Sequence, residues 1–200
     1  MSGGTKRLPR AVREQQMLDA AVKVFAQNGF RETSMDAIAS EAQISKPMLY
    51  LYYGSKDELF SACIARESGL FIDAMSVGFD PSLSQREQAV TVIREFLRFV
   101  HEHRQSWRVL YRVAIGTAGF AGIVSESRQR VTEMVAQLIK AGTTVEVDSD
   151  IDFELTAVSI VGAAEAVADR ITEGDVDLEK ATNLLVGITW RGLKGVGTDT

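Results

Sequence analysis

Apolar residues recur every three or four positions along almost the whole chain, the spacing of helices with one buried face. Met17, Leu18, Ala21, Val24 and Phe25 form the first stripe and predict a helix over about 10–27. Asn28 and Gly29 end it, because both tolerate the left-handed conformation of a helix C-terminus. Met35, Ile38, Ala39 and Ala42 mark a second, short helix, with Thr33 or Ser34 as its N-cap and Thr33 and Asp36 at capping-box spacing. After a break at residues 43–45, Ser45 caps a third helix with Pro47 in its first turn, where a missing amide hydrogen does no harm. The serine-led run at 55–58 opens a longer helix to about Val77, with Leu59, Phe60, Cys63, Ile64, Leu70 and Phe71 inward. Short helices joined by a tight turn follow the helix-turn-helix plan.

Residues 78–84 read as a linker. Helical patterns then resume at about 86–103, 107–115, 124–141, 150–173 and 176–194, and glycines interrupt the second and third of these. The nearest approach to a strand, residues 143–147, is short and lies between helical stretches. The expected fold is therefore all-α. An N-terminal three-helix helix-turn-helix domain occupies residues 1–56, a helical domain occupies 57–200, and the helix at 55–77 connects them.

Composition changes this picture little: 46% hydrophobic and 24% charged residues describe an ordinary globular chain. No stretch approaches the roughly 20 apolar residues that cross a bilayer, and the basic N-terminus has no apolar segment behind it, so a cytoplasmic location without membrane contact is expected. The single cysteine, Cys63, agrees with a reducing compartment. Charge distribution matters more. The net charge of -5 argues against a nucleic-acid partner only if it is spread evenly. Residues 1–56 carry eight basic and five acidic side chains, whereas the remainder carries 14 basic and 22 acidic ones. A basic end on an acidic body suits a chain of which only one end meets phosphates.

Residues 46–53 place three tyrosines in one short helix. At 100° per residue, Leu49 and Tyr53 share the core direction, Pro47, Met48 and Leu51 lie opposite, and Tyr50 and Tyr52 stand about 80° to either side. In a major groove the outward residues would face base edges and the flanking phenols the phosphate walls. Lys46 is the only charged side chain of this helix able to reach a base edge. The helix starts behind Ser34, Ser45 and Ser55 attract anions in their own right. The basic arm at residues 5–10 is either a free tail or a minor-groove contact.

Val24 to Phe60 resembles the DNA-binding domain of the tetracycline-repressor (TetR) family of bacterial transcription regulators. The likeness runs from Phe25, Gly29 and Phe30 through Thr33, Ser34, Ile38, Ala39 and Ala42 to Ser45, Leu49, Tyr50, Tyr53, Lys56, Leu59 and Phe60. It implies phosphate contacts for Tyr50 and Lys56, base or backbone contacts for Lys46, Pro47, Met48, Leu51 and Tyr52, and hydroxyls near phosphates at Thr33 and Ser34, while Ser45 joins the DNA-contact candidates through the helix start it caps. Gln43 departs from the family pattern, standing where glycine is common. A left-handed glutamine there would cost roughly 1–2 kcal/mol.

In the acidic body, the helix at 150–173 is apolar or small almost all round, with Gly162, Ala163, Ala164, Ala166 and Ala168 permitting close approach. Such a helix needs burial on every face. A homodimer through helices 150–173 and 176–194 is one answer, a central helix wrapped by its own chain the other. The resemblance favours the dimer, and with it a palindromic double-stranded operator. Phe96, Phe99, Val100, His103, Trp107, Leu110, Tyr111 and Phe120 are either core or the lining of an effector site. The resemblance favours an effector cavity among these middle helices, and the composition of the set suggests a small apolar or aromatic effector, expected to release a repressor from DNA. The rival classes are an enzyme and a helical protein-interaction scaffold without DNA binding. His101 and His103 point about 160° apart on a helix and cannot chelate one metal, Cys63 falls on an apolar stripe, and no phosphate-loop glycine pattern or triad is present. No catalytic residue, metal or cofactor is expected.

Overall fold

The computed structural model describes residues 9–77, 80–142, 152–174 and 176–195, and every element in them is helical. The elements are α1 (Arg10–Glu32), α2 (Met35–Glu41), α3 (Lys46–Tyr52), α4 (Lys56–Ser76), α5 (Gln85–Glu102), α6 (Arg104–Arg108), α7 (Ala121–Gly142), α8 (Phe153–Glu173) and α9 (Leu178–Gly195). A π-helical turn, Val109–Ala114, follows α6. The short strand-like run at 143–147 and most of the N-terminal arm lie outside the described residues.

The chain divides into two compact units. One comprises residues 1–67 with 105–121, the other 68–104 with 122–200. This division does not fall at residue 56: the first unit takes in the start of α4, α6 from Gln105 and the π-helical turn. Helix α4 contributes to both units.

In the first unit α1 packs on α2 and on the π-helical turn, and α2 packs on α3. Met17, Ala21, Phe25, Ile38, Leu49, Leu59 and Phe60 are wholly buried there. Around Phe60 lies an aromatic cluster, with ring centroids 4.7 Å from Phe25, 5.0 Å from Phe30 and 4.9 Å from Phe120. Burying each such ring contributes about 1.5–3 kcal/mol, and each favourable ring pair about 0.5–1.5 kcal/mol more. Helix α1 breaks at Gly29, whose φ of 76° and ψ of 175° only glycine adopts easily. One further turn brings the chain to α2.

The second unit packs α5 against α8 and α9. Phe71 of α4 lies 5.9 Å from Phe96 and 5.3 Å from Phe99 between ring centroids. Leu97, Val100, Ala157 and Ile171 complete a buried core. Ser84 starts α5 with a full capping box to Glu87, and Asp152 caps α8 by accepting the Leu155 amide hydrogen. Leu70, expected inward, is exposed. Glu67, in the part of α4 that belongs to the first unit, is buried, and its carboxylate is held by Arg66 at 2.6 Å.

Candidate nucleic-acid interface

Between α2 and α3 the chain turns in four residues. Ala42 ends α2, and the Gln43 and Ile44 amides donate to Ser40 and Ala39 at 3.1 and 3.0 Å. This is a Schellman turn, whose left-handed position is occupied by Gln43 at φ 54°. Gln43 is therefore left-handed, the conformation whose cost is expected for a glutamine at this position. Ser45 next accepts the Met48 amide hydrogen, and Pro47 sits in the first turn of α3.

Leu49 anchors α3 with no exposed surface. Tyr53 is half-buried, and that burial pushes its phenol above the ordinary tyrosine range. On the other side, Leu51 is 82% exposed and Tyr50 is 43% exposed. Ser34, Ser45, Lys46 and Pro47 are exposed as well. Together these residues form a surface whose apolar tip, Leu51, has phenol, serine and ammonium groups around it.

Three expected contact residues are placed differently. Met48 is half-buried rather than outward, and its sulfur accepts from the Arg13 guanidinium at 3.4 Å. Thr33 is buried, and its hydroxyl donates to the Gly29 carbonyl at 2.6 Å, across the break in α1. The Lys56 ammonium donates to the carbonyls of Phe30, Arg31 and Thr33 at 2.8, 3.3 and 2.9 Å, and lies 4.5 Å from the Phe30 ring centroid. Ser34, not Thr33, caps α2. Thr33 and Lys56 thus hold the Gly29–Thr33 turn together instead of presenting free groups to solvent.

The structure also adds residues that sequence reasoning passed over. Arg13 supports Met48, and the Arg10 guanidinium lies 5.4 Å from the Tyr52 ring centroid. Asp36, read only as a capping residue, pairs with Lys46 at 2.7 Å. That carboxylate, by hydrogen bond and charge, raises the Lys46 pKa above its ordinary value. The available signal was spacing: Arg10 and Arg13 lie one turn apart on the polar face of α1, and Asp36 opens the helix that precedes α3.

The eight residues considered for an effector are divided between the two units. Phe96, Phe99, Val100 and His103 belong to the second unit, and Trp107, Leu110, Tyr111 and Phe120 to the first. Phe96, Phe99, Val100, Trp107, Leu110 and Phe120 are buried. His103 is exposed, with its ring 4.8 Å from Phe99, and Trp107 stacks on Tyr111 at 3.8 Å. Among the described residues no group of carboxylates, histidines or cysteine could hold a metal, and no helix is long and apolar enough to cross a membrane.

A compact helical unit that exposes one face of the second helix of a helix-turn-helix defines a DNA-binding regulator class. Residues 17–63 match the family described as bacterial regulatory proteins, tetR family, and residues 85–192 match the tetracyclin repressor-like C-terminal domain. The chain belongs to the TetR family of helix-turn-helix transcription regulators. It is 27% identical over 201 residues to the transcriptional activator FasR of Mycolicibacterium smegmatis, covering 98% of this chain and 90% of that one. The crystal structure of a TetR-like transcriptional regulator from Rhodococcus sp. RHA1 is 56% identical, covers 94% of this chain and all of its own, and superposes with a TM-score of 0.85. The fold is shared with the regulator FadR of Bacillus subtilis in complex with stearoyl-CoA, at 19% identity, 88% and 96% coverage and a TM-score of 0.75.

Proposed function

We propose that this regulator binds a palindromic operator as a homodimer, with one α3 in each of two major grooves, and that a small apolar effector controls its occupancy. The observation that carries the DNA half is the outward face of α3. Leu51 is 82% exposed on a helix whose opposite side carries the wholly buried Leu49, an arrangement suited to a thymine methyl group. Tyr50, Ser34 and Ser45 would hold the phosphate walls, while Lys46, Pro47 and Tyr52 would lie at the base edges or backbone beside them. Met48 acts through its side contact with Arg13.

Dimerisation is supported by four exposed apolar side chains, Leu155 and Val158 on α8 and Leu184 and Ile188 on α9. Their i, i+3 and i, i+4 spacings put each pair on one helical face. Contiguous apolar surface of that kind marks an association site. Two-fold pairing sets half-sites about 34–36 Å apart, or a multiple of that distance.

For the effector, the aromatic core of the second unit favours an apolar body, and the stearoyl-CoA bound by FadR makes acyl thioesters the first class to try. A dimer that occupies promoter DNA excludes polymerase, so repression relieved by effector is the proposed direction. FasR, named an activator, sets the contrasting precedent. Duplex selection from a random pool, followed by mobility shifts over a range of salt, tests the DNA reading. An enriched inverted repeat bound with a steep salt slope is the expected result. Failure to enrich any duplex would sink it. Stearoyl-CoA, octanoyl-CoA and free coenzyme A should then separate by thermal midpoint, since a native-state binder raises it. No shift with any of the three removes the acyl-thioester class.

A further inference from the structure

The cations of the DNA-binding unit are largely occupied within the chain itself. Arg10 pairs with Glu14 at 2.9 Å, Lys23 with Glu41 at 2.5 Å and Lys46 with Asp36 at 2.7 Å, while Lys56 holds three backbone carbonyls. Of these, the Lys46 pair stands apart by location. Lys46 is the first residue of α3, the end that meets base edges in helix-turn-helix docking. Asp36 comes from a different helix and is 67% exposed. It places a negative charge at the leading end of the element that must approach a polyanion.

We propose that Asp36 is a specificity-determining residue that masks Lys46 from phosphates and reserves it for a guanine edge. The inference rests on the DNA-binding role of α3 proposed above. Its physical basis is that a lysine on a phosphate is sequence-blind. A phosphate on Lys46 sets a second anion beside Asp36, so carboxylate–phosphate repulsion offsets the attraction to the ammonium and little is gained. The guanine O6 and N7 atoms are neutral acceptors. An ammonium has three donors, so Lys46 can keep one on Asp36 and direct another to guanine. The pair therefore penalises random attachment more than attachment at a site with guanine in register.

The test uses the full chain with Asp36→Asn, Lys46→Gln and the double variant. Each is titrated against a duplex that the wild type enriches from a random pool and against sonicated calf-thymus DNA. Asp36→Asn should tighten calf-thymus binding by up to about fivefold for each α3 engaged, the ceiling for releasing one exposed ion pair. It should also steepen the salt slope by about 0.9 for each α3 engaged. Affinity for the selected duplex should rise less, so the ratio between the two DNAs falls. In the Lys46→Gln background, Asp36→Asn should relieve carboxylate repulsion on both DNAs alike and leave their ratio unchanged. If Asp36→Asn leaves the ratio unchanged in the wild-type background, or lowers it equally with and without Lys46, the masking role is overturned while the DNA reading stands. A wild type that enriches no duplex overturns the DNA reading and this inference with it.

Discussion

Replacing Lys56 by methionine keeps the aliphatic stem and removes the ammonium that joins Phe30, Arg31 and Thr33. Two of its bonds, at 2.8 and 2.9 Å, are good charge-assisted contacts, and the third, at 3.3 Å, is weak. Hydrogen bonds to charged groups contribute about 1.5–3 kcal/mol each when buried. Here the lysine is only partly buried, and water can reach the freed carbonyls. A net loss of about 2 kcal/mol is the reasonable figure, with about 0.5 kcal/mol more from the Phe30 ring. For a chain of this size that lowers the melting midpoint by roughly 5–10 °C. Thermal melts by circular dichroism read the stability, and mobility shifts well below the midpoint read the DNA contact. The structural role predicts a large drop in midpoint with an unchanged salt slope. An unaltered midpoint with a slope reduced by about 0.9 per half-site would refute it and make Lys56 a phosphate ligand instead.

Gln43→Gly removes the left-handed strain at φ 54° but adds chain entropy in the unfolded state. A net gain of about 0.5–1 kcal/mol should follow, read as a higher urea midpoint at constant slope. Cys63 is wholly buried, and that burial pushes its thiol up to about 12. It should resist iodoacetamide at pH 8 until the protein is unfolded. The raised value also sets a pH dependence. The folded thiol keeps its proton where the unfolded one loses it, so this stabilising contribution is complete below about pH 9 and falls away as pH rises towards 12. Cys63→Ala should flatten that part of the profile, and an unchanged profile would mean other groups carry it.

Local signals made the helices easy to read. Ser34, Ser45, Ser84 and Asp152 each cap the helix that follows, and apolar stripes at Met17–Phe25 and Met35–Ala42 fall where the buried faces are. The π-helical turn at Val109–Ala114 carried no such mark, because an extra residue in a turn answers to packing by neighbours, here α1. Gly29 was legible as a stop, but the further turn from Phe30 to Glu32 was not. That turn owes its geometry to Thr33 and Lys56, and Lys56 lies 23 or more residues downstream of the carbonyls it holds.

The same division explains the interface. The helical wheel correctly separated buried Leu49 from exposed Tyr50 and Leu51, because both facts depend only on the rotation between neighbouring residues in α3. It misplaced Met48, since the Arg13 contact comes from another helix 35 residues earlier. It could not pair Lys46 with Asp36 for the same reason, as their meeting depends on the angle that the Gln43 turn imposes between α2 and α3. Periodicity therefore reports which side chains leave the core, whereas the turn decides which charges they meet. For Lys46 that distinction is what the proposed masking rests on: a free ammonium would bind any phosphate, and the carboxylate supplied across the turn would make its charge conditional on what α3 touches.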